Sequence, residues 1–276
     1  MNDEKDYLER NRRSWDARLP IHLGSAFYDV EGWKSSGRIS LTDIERREVG
    51  EVKGKSLLHL QCHFGQDTLS WARLGARVCG CDFSAPAIDT ARQLAAELDL
   101  PATFVCCSVY ELPQHLEGSF DIVFTSYGAI TWLPDLTRWA EVIAHFLKPG
   151  GTLYLADFHP VLWMLDEEMR QLKYPYHNIG PIESELQGTY AAPKSNLSGK
   201  EYNWNHSLSE VINSLISCGL RLEFLNEYPY SPFDCFPNSV RGSDGYYRIR
   251  GLEGIIPLIF SLRARKPGGA YAEAAP

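Results

Sequence analysis

The chain is 276 residues long, 44% apolar and 22% charged, which are the proportions of a soluble globular protein with ample material for a core. Its 35 acidic residues outnumber 27 basic ones, and the formal charge of -8 speaks against a polyanionic partner, because nucleic-acid binding relies on clustered Lys and Arg. No apolar run approaches a membrane span, and the charged start Asp3-Glu4-Lys5-Asp6 argues against a secretory signal, so a cytoplasmic protein with no nucleic-acid or membrane partner is expected.

Residues 1–50 place Trp15, His22, Phe27, Tyr28 and Trp33 among charges and predict a helical N-terminal cap. From Lys55 short apolar runs alternate with amphipathic stretches, the pattern of βαβ units on a parallel sheet. A strand over 56–60 turns through Gln61-Cys62-His63-Phe64-Gly65 into a helix that opens with Asp67 and Thr68 and stops at Gly75. A strand over 76–81 ends in Asp82, and a helix over 86–98 leads to a third strand over 102–106. A fourth strand covers 120–125. The helix over 136–147 is closed by Lys148-Pro149-Gly150-Gly151, which hands over to a fifth strand at 152–157.

Beyond it regularity fades and aromatics rise, so 160–205 reads as a substrate-side insertion within one domain over 51–267. A helix over 208–217 and two strands over 221–226 and 258–264 complete that domain, and 268–276 read as a flexible tail. None of the seven cysteines has zinc-type spacing, so buried reduced thiols and no metal site are expected. Gly54-Lys55-Ser56 is not a phosphate loop: Val49 stands where the earlier glycine is required, and the triplet precedes its strand.

In an open parallel sheet the ligand sits beyond the carboxyl ends of the strands, where the first strand turns into the first helix. Asp82, about 20 residues after that turn begins, suits a carboxylate on the ribose hydroxyls of an adenosine cofactor.

These segments resemble the class I S-adenosylmethionine-dependent methyltransferases. Leu57 to Gly65 lies over the family's first motif, Val78 to Ser84 over its second strand, Phe120 to Phe124 over its fourth, and Leu147 to Leu153 over the turn into its fifth. The resemblance implies a Rossmann-like α/β three-layer sandwich with a mostly parallel seven-stranded sheet, S-adenosylmethionine as cofactor and a small-molecule acceptor. By that resemblance Asp82 holds the ribose, Phe83 lies against adenine, Ser108 and Val109 flank the adenine edge, and Tyr127 borders the methyl donor. His59, Gln61 and His63 stand where the family carries an acid and two glycines, and Gly65 remains. Of the two consequences, a shifted loop in which Gln61 and His63 contact the methionine moiety or a fold that no longer binds the cofactor, the first is expected.

Methyl transfer is an in-line displacement at a sulfonium, so the protein chiefly aligns donor and acceptor and excludes water. A base helps where the acceptor is a hydroxyl or protonated amine. His159, after the fifth strand, is the first candidate; His22 with Tyr28, His206 beside Trp204, and Trp163 are candidates for the acceptor pocket. His115 and His145 read as surface positions and His177 as a loop. Two alternatives share the fold, a nicotinamide-dependent oxidoreductase and a non-catalytic cofactor-binding protein; the first needs a glycine-rich turn that Gln61 and His63 do not supply. Whether oxygen, nitrogen or carbon is methylated, and the oligomeric state, stay open at this point.

Overall fold

The computed structural model describes residues 2–268. Eleven strands occur in chain order: β1 (Ser56–Leu60), β2 (Arg77–Asp82), β3 (Ala102–Cys106), β4 (Phe120–Ser126), β5 (Leu147–Phe158), β6 (Ile182–Gln187), β7 (Ser198–Asn203), β8 (Arg221–Tyr228), β9 (Ser239–Arg241), β10 (Tyr247–Ile249) and β11 (Ile259–Arg265). The helices are α1 (Asn2–Leu23), α2 (Val30–Ser36), α3 (Asp43–Val49), α4 (Gln66–Arg73), α5 (Ala85–Glu97), α6 (Leu136–Phe146) and α7 (Leu208–Ser217). Seven strands form one sheet in the order β3-β2-β1-β4-β5-β11-β8. Only β11 runs against its neighbours, pairing antiparallel with both β5 and β8.

The central strands are apolar nearly throughout because both faces of the sheet are covered. Leu58 and Leu60 of β1 pack on one side with Trp139, Ile143 and Phe146 of α6 and with Val211 and Leu215 of α7. Leu57 points to the other side, into a cluster with Trp71 of α4, Phe124 and Tyr154. A third cluster joins α5 to the N-terminal cap through Ile88, Ala91, Leu19 and Trp33. The sequence reading of a three-layer α/β sandwich with a mostly parallel seven-stranded sheet is the architecture observed.

Local chemistry sets the helix starts. Asp135 caps α6 by accepting from the N–H groups of Thr137 and Arg138, and Ser84 caps α5 by accepting from Ala87 N–H, just ahead of Pro86. Strand β5 begins earlier than expected, at Leu147, because the Gly150-Gly151 segment stays paired: Gly150 N–H donates to Lys266 O and Lys266 N–H to Gly151 O. The insertion is more ordered than its composition suggests, since β6 and β7 form an antiparallel hairpin within it, and β9 and β10 form a second small hairpin further on. Among the described residues no helix is long and apolar enough to cross a membrane. Apart from residue 268, the tail expected at 268–276 lies outside the described residues.

Candidate active site

The turn from β1 into α4 takes a shape that glycine-rich turns take, with only one glycine, Gly65. Gln61, His63 and Gly65 all have positive φ, at 56°, 51° and 77°. Only glycine adopts this region freely, so Gln61 and His63 are held there at a cost of roughly 1–2 kcal/mol each. Gly65 has no alternative: a Cβ there would lie 2.8 Å from Phe104 and 2.9 Å from Ala91. The two side chains are fastened by their surroundings. Gln61 Nε2 donates to Ala129 O at 2.8 Å, and His63 Nε2 lies 2.9 Å from His22 Nδ1.

Asp82, at the end of β2, organises the same turn. Its Oδ2 accepts from His63 N–H at 2.8 Å and its Oδ1 from Ser84 N–H at 3.0 Å. Burial pushes this carboxyl up to about 6, against the opposing pull of those backbone donors. Each carboxylate oxygen accepts more than one hydrogen bond, so both retain capacity for a ligand hydroxyl. On the far side Asp157, buried at the end of β5, accepts from the backbone N–H groups of Gly128, Ala129 (3.1 Å) and Ile130 (3.1 Å) and from its own neighbour Phe158 (2.7 Å). One carboxylate thereby fixes the loop after β4, where Tyr127 and Gly128 also take positive φ.

The N-terminal cap and the insertion close the space from above, and they are joined to each other. Asn11 of α1 donates to Tyr202 O at 2.7 Å and accepts from Tyr202 N–H at 2.9 Å, completing the open edge of β7. Arg18 forms a buried ion pair with Glu201 of β7 and stacks over Trp15 and Trp132, 5.1 and 5.6 Å from their centroids. Tyr28 and Tyr190 share a hydrogen bond between their phenol groups. Asp16 accepts from Ser84 Oγ at 2.6 Å and anchors α1 beside Asp82.

Between floor and roof lies a cavity of about 730 Å³, inside the ~300–1,000 Å³ range of sites for small organic ligands. Of the residues expected from the sequence, Gln61, His63, Gly65, Asp82, Phe83, Tyr127, Tyr28 and Trp163 all line it. The others lie elsewhere. His22 is fully buried behind His63, with Nε2 3.0 Å from Thr189 Oγ1. Ser108 and Val109 begin the 3-10 turn over 109–114, and Val109 packs into the core beneath α6. His159 is 3% exposed with both ring nitrogens engaged: Nδ1 accepts from Val161 N–H at 3.2 Å, so Nε2 carries the proton given to Glu227 Oε1 at 2.8 Å. It pins the exit of β5 to β8 and is not part of the cavity wall. His206 is buried between Leu133 O (2.7 Å) and Glu210 Oε1 (3.0 Å), and Trp204 is buried beside Tyr7.

Trp15, Trp132, Arg18 and Glu201, which sequence reasoning passed over, line the cavity. The only cue within the sequence was the aromatic density of the cap, because the pairing of Arg18 with Glu201 spans 183 positions. The structure also tests whether S-adenosylmethionine fits. Gln61 lines the cavity, and its Oε1 is buried with no hydrogen-bond partner among the described residues. Together with the unfilled lone pairs of Asp82 and the face of Phe83, the donor and acceptor set suits a nucleoside that carries an amino acid.

Comparison with known proteins agrees with this geometry. Residues 57–151 match the family model described as a methyltransferase domain. The ubiquinone biosynthesis O-methyltransferase of Proteus mirabilis is 28% identical over 163 residues, 58% of this chain and 66% of that protein. The enzyme of the same name from Xanthomonas euvesicatoria pv. vesicatoria is 34% identical over 109 residues, 40% of this chain and 45% of its own. The chain thus spans about half to just under two thirds of the length of these relatives. Among solved structures, an S-adenosylmethionine-dependent methyltransferase of Mesorhizobium loti superposes with TM-score 0.55 at 21% identity, covering 80% of this chain and 95% of that one. One of Clostridium acetobutylicum gives 0.56 at 10% identity, covering 91% and 96%.

Proposed function

Since residues 57–151 match a methyltransferase domain, we propose that the chain is a class I S-adenosylmethionine-dependent methyltransferase, which binds S-adenosylmethionine in the cavity at the carboxyl edge of the sheet and transfers the methyl group to a small molecule with an apolar or aromatic body. The observation that carries this reading is the meeting of Asp82 with the left-handed turn at 61–65. His63 N–H on Asp82 Oδ2 aims the carboxylate along the cavity wall. Asp82 then accepts from the ribose hydroxyls, Phe83 lies along the adenine, and Gln61 Oε1 with the loop after β4 receives the amino-acid end.

Bound there, the cofactor supplies a methyl group on a positively charged sulfur. The protein's part is to position and to exclude water, and it does so with aromatic side chains: Phe27, Tyr28, Phe158, Trp163, Tyr190 and Phe233 line the remaining space. Their faces favour both a flat apolar acceptor and a neighbouring cation. The two relatives named above methylate oxygen, by their printed names, and an aromatic hydroxyl is the acceptor class that this lining supports.

Titration calorimetry with S-adenosylhomocysteine tests the reading. The wild-type protein binds it, with NADH as the negative control, and Asp82→Ala weakens binding about 100-fold or more, equivalent to ~3 kcal/mol for a buried, charge-assisted pair of hydrogen bonds. A wild-type chain that gives no heat with S-adenosylhomocysteine overturns it.

A further inference from the structure

The family's second motif glycine is a histidine here, and its side chain does not hang idle. His63 lines the cavity, its ring packed among Trp15, His22, Tyr28 and Phe64. Its Nε2 is 2.9 Å from Nδ1 of His22, and the two rings meet edge to face with centroids 5.1 Å apart. His22 Nε2 continues to Thr189 Oγ1 at 3.0 Å, and that hydroxyl oxygen already accepts from Ala191 N–H at 3.0 Å. Four atoms from three distant segments, α1, the β1–α4 turn and the loop after β6, thus form one line of hydrogen bonds that ends at His63 Nδ1. That nitrogen has no hydrogen-bond partner among the described residues, and His63 itself lines the cavity.

We propose that His63 is the base that takes the proton of the methyl acceptor through Nδ1, and that His22 and Thr189 are positioning residues that hold its ring in the required tautomer. The inference rests on the functional reading above and deepens it, since it restricts the acceptor to a hydroxyl or amine with a proton to lose. The line of bonds has two directions. If Thr189 accepts from His22 Nε2–H, then His22 Nδ1 must accept from His63 Nε2–H, and His63 Nδ1 is left as a bare lone pair facing the cavity. If Thr189 instead donates, the order reverses and His63 Nδ1 becomes a donor.

In the proposed direction the chemistry balances. As the acceptor's oxygen or nitrogen bonds to the methyl carbon, the electron pair of the carbon–sulfur bond leaves on sulfur, and the acceptor's proton passes to His63 Nδ1. The new imidazolium is stabilised through its Nε2–H on His22 Nδ1. Burial lowers the basicity of both rings, a charge on His22 would lower that of His63 further, and Arg18 lowers both, which keeps the pair neutral at ordinary pH. The other groups facing the pair are the phenols of Tyr28 and Tyr190, the carboxylate of Asp82 through the His63 backbone, and Glu201, which is taken up by Arg18. His59, the other imidazole on the cavity wall, lacks this arrangement. It is tied to Thr68 Oγ1 at 2.8 Å and packed on Phe124, with no second imidazole to share a charge.

Long-range proton–nitrogen NMR of the full chain labelled with 15N-histidine, free and with S-adenosylhomocysteine, reads the tautomer directly. His63 is expected to be protonated at Nε2 and bare at Nδ1 from pH 6 to 8, and Thr189→Val is expected to abolish that preference. His63→Asn, which tolerates the left-handed backbone, should change the Kd for S-adenosylhomocysteine by less than threefold. A proton on His63 Nδ1 in the wild type overturns the proposal. So does a tenfold or greater loss of S-adenosylhomocysteine affinity in His63→Asn, which would make His63 a cofactor ligand instead. A wild-type chain that fails to bind S-adenosylhomocysteine removes the functional reading as well, and calorimetry separates that outcome from a wrong tautomer.

Discussion

At position 61 a glutamine sits where its backbone prefers not to be, and the hydrogen bond from its side chain to Ala129 O offsets part of that cost. Gln61→Gly exchanges the bond for relief of strain and is expected to leave stability within about 1 kcal/mol of wild type. Gln61→Val loses the bond and adds a branched side chain at positive φ, so chemical denaturation should show it about 2 kcal/mol less stable than the glycine variant. Asp82 makes a prediction in pH. Its carboxyl is raised by burial to about 6, so the folded chain holds a proton that the unfolded chain has already lost, and this group's contribution to stability declines as pH rises from about 4 to 6. Under the proposed contact of Asp82 with ribose hydroxyls, ligand binding has the opposite sign, because those hydroxyls would need the carboxylate. Calorimetry should find the Kd for S-adenosylhomocysteine rising by roughly tenfold for each pH unit below 6, while Asp82→Asn binds weakly with no such dependence.

Among the elements, α1 owes its place to β7. Asn11 serves as a one-residue strand for Tyr202, satisfying both of its backbone groups from a helix. Asn11→Leu leaves a donor and an acceptor of that edge unpaired and should cost about 1–3 kcal/mol, seen as faster amide exchange confined to α1 and the β6–β7 hairpin. The strands and helices around the candidate site were legible because each announces itself locally: β1, β3 and α7 begin and end where their apolar periods do. The β6–β7 hairpin was not. Its strands read Ile-Glu-Ser-Glu-Leu-Gln and Ser-Gly-Lys-Glu-Tyr-Asn, with little apolar alternation, and their pairing is sustained by contact with α1, which no short window of sequence contains.

Taken as a whole, the molecule encloses its cavity by joining segments far apart in the chain. Asp82, Phe83 and the 61–65 turn could be read from the sequence because the strand–turn–helix order places them together. The Arg18–Glu201 pair could not, since it exists only once the cap and the insertion have folded against each other. Its side chains are 5% and 13% exposed, so each charge depends on the other. Arg18→Met alone should therefore destabilise the protein by about 3–5 kcal/mol, and adding Glu201→Leu should recover much of that loss by removing the stranded charge; thermal and urea unfolding of the two single variants and the double variant check this coupling. His159 and His206 show the same limit from the other side. Both sit at plausible positions in the sequence, yet in the fold their ring nitrogens are consumed by Glu227, Val161, Leu133 and Glu210.

The turn at 61–65 has one more consequence. Under the proposed function a nucleoside meets there a set of torsion angles, and positive φ is held at 61 and 63 by residues other than glycine. The constraint on this turn is therefore better written as the sign of φ at positions 61, 63 and 65, with an acid at the tip of the adjacent strand, than as a run of glycines. Drift at position 63 is then bounded by handedness, so Asn, Asp and Gly are the replacements that the backbone tolerates best.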